Sequence, residues 1–364
     1  MSSGIIVLSI WLYLIFSRGR FWLVRERRID APLRTRPRVA IVIPARDEAA
    51  TIQLCIASCA LQNYPGHFQI YLVDDHSTDA TAELARAVSS GIEIVQAGVL
   101  PAGWTGKLWA LHCGLAQARL FQPDYVLLTD ADIVHTPEVL TGLVARAEES
   151  NLDMTSYMVQ LRCQSFAERA LIPAFVYFFF QLYPPQWVED ERSTTAGAAG
   201  GCILIRSTAL ERIGGIESIK GELIDDCALA ARVKRSGGKI WLGLTSGSAS
   251  VREYNSFGEI RQMISRTAFT QLNYSVWLLA GTLLGLVITY VMPPLLLLAG
   301  DLSGTAAYAL MLVSYLPMLR FYRRSPLWAA TLPLIAIFYT AATIESALRH
   351  WRGTGGEWKG RFRT

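Results

Sequence analysis

Six cysteines stand at positions 55, 59, 113, 163, 202 and 227 of this 364-residue chain, and none of them forms a Cys-x-x-Cys pair. Cys55 and Cys59 lie four apart on an expected helix with no paired histidine, so they read as small core residues rather than zinc ligands. Such usage fits a reducing compartment. A Walker phosphate loop is also missing. Around Gly103-Trp104-Thr105-Gly106-Lys107, Pro101 replaces the required first glycine and Leu108 the required Ser or Thr. Gly-x-Gly-x-x-Gly is absent where a dinucleotide site would need it. Internal repeats and low-complexity tracts are absent as well.

Charge is thin. Charged residues make up 18% of the chain and hydrophobic ones 52%, with a mean hydropathy of +0.29, too apolar for an ordinary soluble enzyme. The excess sits at the two ends. Gly4–Phe16 is apolar and uncharged, and Phe21–Val24 resumes after Ser17-Arg18-Gly19-Arg20. With both arginines snorkelling, residues 4–24 make one helix of spanning length, and 1–25 reads as a transmembrane anchor. No basic region precedes this run and no Ala-x-Ala site follows it, which argues against a cleaved signal peptide.

Three more apolar stretches lie near 276–299, 304–319 and 327–346, so 275–348 reads as C-terminal transmembrane helices. Arg18, Arg20, Arg25, Arg27, Arg28, Arg34, Arg36 and Arg38 follow the first apolar run. The positive-inside rule puts that flank, and the domain after it, in the cytoplasm. This cluster accounts for the pI near 8.7; its expected partner is an anionic membrane leaflet and not nucleic acid. The basic tail, 349–364, asks for an even number of C-terminal spans, whereas three are counted. A break at Pro293-Pro294, or one stretch lying in the interface, would reconcile the two.

Residues 26–38 read as a basic linker, and 39–254 as an α/β domain. Strands are expected at Val39–Ile43 (ended by Pro44), Phe68–Val73, Ile92–Gln96 and Tyr125–Leu128. Helices are expected near 47–62, 79–89 and from Gly106 to Phe121. Alternation with short connections argues for a parallel, helix-covered sheet. Phe175–Leu182, too short to span, reads equally as core or as a membrane-surface segment. Across 255–274, Phe257, Ile260, Ile264, Ala268 and Leu272 fall at helical spacing, the mark of an amphipathic interfacial helix.

Three expected strands deliver carboxylates at their carboxyl ends: Pro44-Ala-Arg-Asp47-Glu48, Asp74-Asp75-His76-Ser-Thr-Asp79 and Thr129-Asp130-Ala-Asp132. A single Asp-x-Asp is ordinarily a solvated turn. Three acidic ends on one sheet edge make a converging site, at the edge where open α/β sheets bind ligands. Carboxylates repel phosphate, so such a site calls for an intervening Mg²⁺ or Mn²⁺. Asp75 and Glu48 can instead accept from ribose hydroxyls or a base. Lys107 opens a helix and is placed either to reach a phosphate or to sit in solvent. The small-residue stretch 194–201, ending in Gly200-Gly201, is either a linker or a surface for close substrate approach. Asp225-Asp226 opens a helix that stops at Gly237-Gly238. Asp225 reads as its cap, which leaves Asp226 free to act as a general base if burial or neighbouring acids raise its pKa.

This order of motifs over about 38–240 resembles the inverting family 2 glycosyltransferases of GT-A fold. Gly-Trp-Thr-Gly-Lys-Leu-Trp-Ala-Leu, the Ala-Gly-Gly-Cys stretch and the membrane tail resemble more narrowly the hopanoid-biosynthesis-associated members. The resemblance implies a nucleotide-diphosphate-sugar donor, a divalent cation (Mg or Mn), a lipid acceptor of hopanoid type, and a membrane-bound enzyme. It implies that Pro44, Glu48, Asp75, Lys107 and Asp130 bind the donor, that Asp132 and Asp130 hold the metal, and that Asp226 is the catalytic base. Gly200, Gly201, Asp225 and Arg266 are left as acceptor or phosphate contacts. His76 stands where the family often has glycine, and His112 where it often has asparagine. The Gln-x-x-Arg-Trp motif of processive synthases is missing; Gln262 and Arg266 are near its place with the wrong spacing and no Trp. A single transfer is therefore expected, with a processive synthase or a non-catalytic lipid-handling protein as alternatives.

Overall fold

The computed structural model describes residues 3–26 and 33–354, which divide into two compact units. The expected linker residues 27–32 and most of the basic tail, 355–364, lie outside the described residues.

One unit comprises the described residues of 26–161 and 187–252. Its eight strands are Val39–Ala45 (β1), Phe68–Asp74 (β2), Ile92–Gln96 (β3), Tyr125–Leu128 (β4), Ile133–His135 (β5), Met154–Gln160 (β6), Ile203–Arg206 (β7) and Ile240–Ser250 (β8). They form one sheet in the order β3-β2-β1-β4-β7-β6-β8-β5. β3, β2, β1 and β4 run parallel. β7 runs antiparallel to both β4 and β6, so the sheet is mixed and not the parallel one expected. The apolar run of β7 specifies burial, which is the same for either direction.

β1 is buried along its whole length and continues through Pro44 to Ala45, pairing Pro44 with Val73 and Ala45 with Asp74. Proline is tolerated because β4 has already ended on the side where its N–H would point; the last β1–β4 pair is Val42–Leu128. The expected 47–62 helix occupies only Ile52–Ala60. Asp47 is left-handed at φ 51°, and its Oδ1 accepts the N–H of Thr78 at 2.7 Å, so these residues make a loop. The chain runs from β1 to β2 and β3 on one flank and then places β4 on the other. The carboxyl ends of β1 and β4 thus border the switch point of the sheet.

The second unit comprises the described residues of 1–25, 162–186 and 253–356. Its first helix is Ser3–Phe16, followed by a short 3₁₀ turn at Phe21–Leu23. The single 4–24 helix is not formed, because Gly19 and Arg20 are left-handed at φ 57° and 47°. Fourteen residues rise only about 21 Å against a hydrocarbon core of about 30 Å. Arg18 donates its Nε–H to the Gln181 carbonyl at 3.1 Å.

Three helices are long and apolar enough to cross a membrane: Val276–Leu298, Leu302–Phe321 and Pro326–Trp351. Pro293-Pro294 does not split the first. A π-helical stretch, Val287–Val291, absorbs the two prolines. The Thr289 carbonyl, which Pro293 cannot serve, accepts from Trp11 Nε1 at 2.8 Å. Phe175–Leu182 forms the second half of the Phe166–Leu182 helix, where Val176, Tyr177 and Phe180 are core residues. The amphipathic segment is helical only over Phe257–Ser265, with Ile260 and Ile264 buried. Beyond it the inward residue is Phe269 rather than Ala268 or Leu272, because the chain turns before Thr270–Leu272.

Gly114 marks where the Gly106–Ala118 helix lies against β1 and β2. A Cβ there would collide with Val73 Cγ2 and come within 2.8 Å of Val42 Cγ1. Gly114→Ala is expected to lower stability by about 1–3 kcal/mol, although alanine is the better helix former. A reduced apparent melting temperature of the detergent-solubilised chain would register it.

Candidate active site

Two helices begin at the switch point. Gly106–Ala118 is capped by Thr105, whose Oγ1 accepts the Leu108 N–H at 3.4 Å. Asp225–Arg235 starts after Ile224, whose side chain makes no capping bond. The expectation that Asp225 caps this helix is therefore not met. Asp225 instead pairs with Lys107, its Oδ2 lying 3.1 Å from Nζ. Asp226 accepts the N–H of Cys227 on Oδ1 at 2.7 Å and that of Gly200 on Oδ2 at 2.8 Å. Lys107 also reaches Asp130 Oδ1 at 2.9 Å. One ammonium thus joins the β4 end to the start of the Asp225–Arg235 helix.

Pro44, Lys107, Asp130, Gly200, Asp225 and Asp226 line a common pocket, with an apolar wall of Leu108, Leu111, Ile203, Ile216, Ile219 and Leu229. A Cβ at Gly200 would stand a tight 3.3 Å from Lys107 Nζ and in ordinary contact with Asp226 Oδ2 at 3.5 Å, so a side chain there would project among the charged groups. Gly201 faces inward, where a Cβ would meet Ile133 and Val159 at 3.2 Å; it packs the domain and does not line the pocket.

Burial, and then the charge of Asp225, push the Asp226 carboxyl up to about 6, against the pull of Lys107 and the two backbone N–H groups. Burial likewise raises Asp130, opposed by Lys107 and reinforced by Asp132. For Lys107, burial disfavours the charge, but Asp130 and then Asp225 outweigh it and hold the ammonium above the usual lysine range.

The other acidic ends are placed differently. Asp75 is fully buried just beyond β2, and its N–H donates to the Ala45 carbonyl at 2.8 Å. Arg46 Nη1 donates to the Asp75 carbonyl at 2.5 Å. The loop after β1 is stapled to the segment after β2 by the Glu48 N–H on Thr81 Oγ1 at 2.8 Å and the Ala49 N–H on Asp79 Oδ2 at 3.0 Å. Asp132 is bound by Arg252 Nε at 2.8 Å and Ser250 Oγ at 3.1 Å, and Arg252 Nη2 reaches Glu48 Oε1 at 2.8 Å. Arg266 belongs to the other unit and is exposed there.

The donor set bears on a divalent cation. Asp130 and Asp132 each already carry a cation of the chain. Among the described residues no three His, Cys, Asp or Glu side chains are gathered to hold a metal. These residues fit a cation that takes one or two carboxylates and completes its shell with phosphate oxygens and water, the usual habit of Mg²⁺. They do not fit one held by the protein alone.

Sequence reasoning missed the support beneath the site. Thr129 donates its single hydroxyl proton to the Gly201 carbonyl at 2.8 Å, so His135 Nε2, 2.9 Å away, must be the donor toward Thr129. His135 Nδ1 then accepts from Ser248 Oγ at 2.8 Å. Burial pushes the His135 imidazole down to about 4, which keeps it neutral. Arg252 was missed as well; its one signal is a lone arginine just past a strand ending in serine.

Residues 40–214, just under half of the chain, match the model of glycosyl transferase family 2. An undecaprenyl-phosphate 4-deoxy-4-formamido-L-arabinose transferase of Yersinia enterocolitica is 34% identical over 116 residues, 31% of this chain and 34% of that protein. An N-acetylglucosaminyltransferase of Mesorhizobium japonicum is 33% identical over 121 residues, 31% of this chain and 26% of that one. The matches thus span about a third or less of these curated relatives. Among solved structures, the mannosyltransferase PcManGT of Pyrobaculum calidifontis, in complex with GDP-Man and Mn²⁺, superposes with a TM-score of 0.59. It does so over 96% of this chain and 98% of that one, at 16% identity, a likeness of fold. Residues 40–214 therefore belong to glycosyl transferase family 2, and the domain built on them has the GT-A fold.

Proposed function

We propose that the chain is a membrane-bound, inverting glycosyltransferase that moves one sugar from a nucleotide-diphosphate sugar to the hydroxyl of a lipid, of hopanoid type under the narrower resemblance. The observation that carries this reading is the Lys107–Asp130–Asp225–Asp226 cluster at the sheet's switch point, beside helix N-termini that favour anions. The names of the curated relatives and of the GDP-Man-bound fold neighbour support the donor class. The three apolar helices support membrane residence, and the arginines that follow the first helix support a cytoplasmic catalytic domain.

Asp75 and the Pro44–Glu48 loop hold the nucleoside, and Asp130 and Lys107 face the ribose and diphosphate. A cation at Asp132 and Asp130 would neutralise charge on the departing diphosphate. Asp226 takes the proton of the acceptor hydroxyl, and the oxygen attacks the anomeric carbon from the face opposite the leaving group, so configuration inverts. The Asp226 carboxyl then releases the proton to solvent. Lys107 meets the charge that develops on the leaving oxygen. Gly200 allows the reacting groups to approach the backbone, and Asp225 keeps Lys107 in place.

A lipid-phosphate acceptor is the second reading, favoured by the undecaprenyl-phosphate relatives. Against it, a phosphate needs no base and would meet the carboxylates of Asp130, Asp225 and Asp226 across an apolar wall. Product analysis with lipid alcohols and polyprenyl phosphates offered side by side decides between them. Polymeric product would reveal a processive synthase.

Asp226→Asn is expected to lower kcat by at least about 100-fold while calorimetry shows nucleotide binding intact; loss of binding would end its assignment as base. Asp226 must be ionised to accept a proton, so kcat/KM should rise with pH through about 6. Lys107 lowers that value, so Lys107→Met should move the limb to higher pH. Chelation with EDTA should abolish turnover, and Mn²⁺ or Mg²⁺ should restore it; full activity without metal would refute the cation's role.

A further inference from the structure

Arg252 carries a feature that the transfer reaction does not require. Its guanidinium bridges two carboxylates from opposite sides of the switch point: Glu48, in the loop after β1, and Asp132, just after β4, each at 2.8 Å. The Glu48 and Asp132 side chains are only 12% and 10% exposed, and that of Arg252 is 37% exposed. Two carboxylates so deeply placed need a cation whenever no ligand brings one. The forked guanidinium suits this task because it serves both at once, which a lysine's point charge does less well.

Asp132 is also a residue assigned above to a divalent cation. Its Oδ2 already accepts from Arg252 Nε and Ser250 Oγ. A divalent cation at Asp132 and the guanidinium in its present seat would repel each other at close range. The backbone beside Arg252 is fixed: Val251 N–H donates to the Asp132 carbonyl at 2.9 Å, and Arg252 N–H donates to Ser250 Oγ at 3.3 Å. Only the side chain can leave, and a guanidinium displaced there has phosphate oxygens as its natural next partner.

We propose that Arg252 is a built-in counter-cation of the donor site, which occupies Glu48 and Asp132 until a metal-bound diphosphate displaces it. The chain then takes up a divalent cation together with the nucleotide rather than ahead of it. This rests on the donor-site reading given above.

The test is Mn²⁺ binding to the full chain in detergent, followed by electron paramagnetic resonance, with and without uridine or guanosine diphosphate. Arg252→Gln should bind Mn²⁺ alone at least about tenfold more tightly than the unaltered chain, as removal of a unit charge a few Å away demands. Arg252→Lys should stay near the unaltered value. Adding Asp132→Asn to Arg252→Gln should erase the gain. Arg252→Gln binding Mn²⁺ no more tightly, or a gain that survives Asp132→Asn, overturns the proposal. So does an unaltered chain that binds Mn²⁺ as tightly without nucleotide as with it, a measurement that needs no variant. Failure of the unaltered chain to bind either nucleotide with Mn²⁺ would instead overturn the donor-site reading. Nucleotide binding that persists while the Mn²⁺ affinities do not move removes Arg252 alone.

Discussion

The site depends on one ammonium ion. Lys107 Nζ lies 2.9 Å from Asp130 and 3.1 Å from Asp225, and without it the β4 end and the Asp225–Arg235 helix would bring bare carboxylates together. The arrangement leaves a graded set of acids. Asp225 and one oxygen of Asp130 are committed to the lysine. Asp226 is held by backbone N–H groups and raised by burial, which makes it the member suited to exchange a proton near neutral pH. Gly200 presents backbone between the lysine and Asp226 and donates its N–H to the latter.

What was legible in the sequence followed physical rules that act locally. Tyr125–Leu128 appears as a strand at its expected ends because burial on both faces leaves a continuous hydrophobic signature, and the half-buried edge strand Ile92–Gln96 also keeps its expected ends. Asp130, Asp225 and Asp226 could be placed at one edge because strand ends and helix starts are marked by the residues themselves. Helix starts after β1 and β2 were read too early. Asp47 accepts from Thr78, and Asp79 accepts from Ala49, across the two loops, which holds both aspartates out of the helices that follow.

Other features leave no local trace. The direction of β7 depends on which strands flank it, and its own apolar residues are silent on that. Arg252 meets Asp132 and Glu48 across 120 and 204 positions of sequence, and the Thr129–His135–Ser248 support spans 6 and 113. The short first helix shows a related limit. Its apolar run continues past Phe16 in composition, but the left-handed Gly19 and Arg20 end it, and hydropathy does not sense a change of backbone hand.

The bond from Trp11 to the Thr289 carbonyl has a consequence for biosynthesis. A ribosome delivers Trp11 hundreds of residues before Thr289, so the indole is already waiting when the proline-bearing helix emerges. Pro293 leaves that helix with a carbonyl it cannot satisfy itself, and a buried carbonyl without a donor is costly. The apolar Ser3–Phe16 helix thus completes, across 278 positions of sequence, the hydrogen bonding of the first of three long apolar helices, and that helix is fully satisfied only once the two have met.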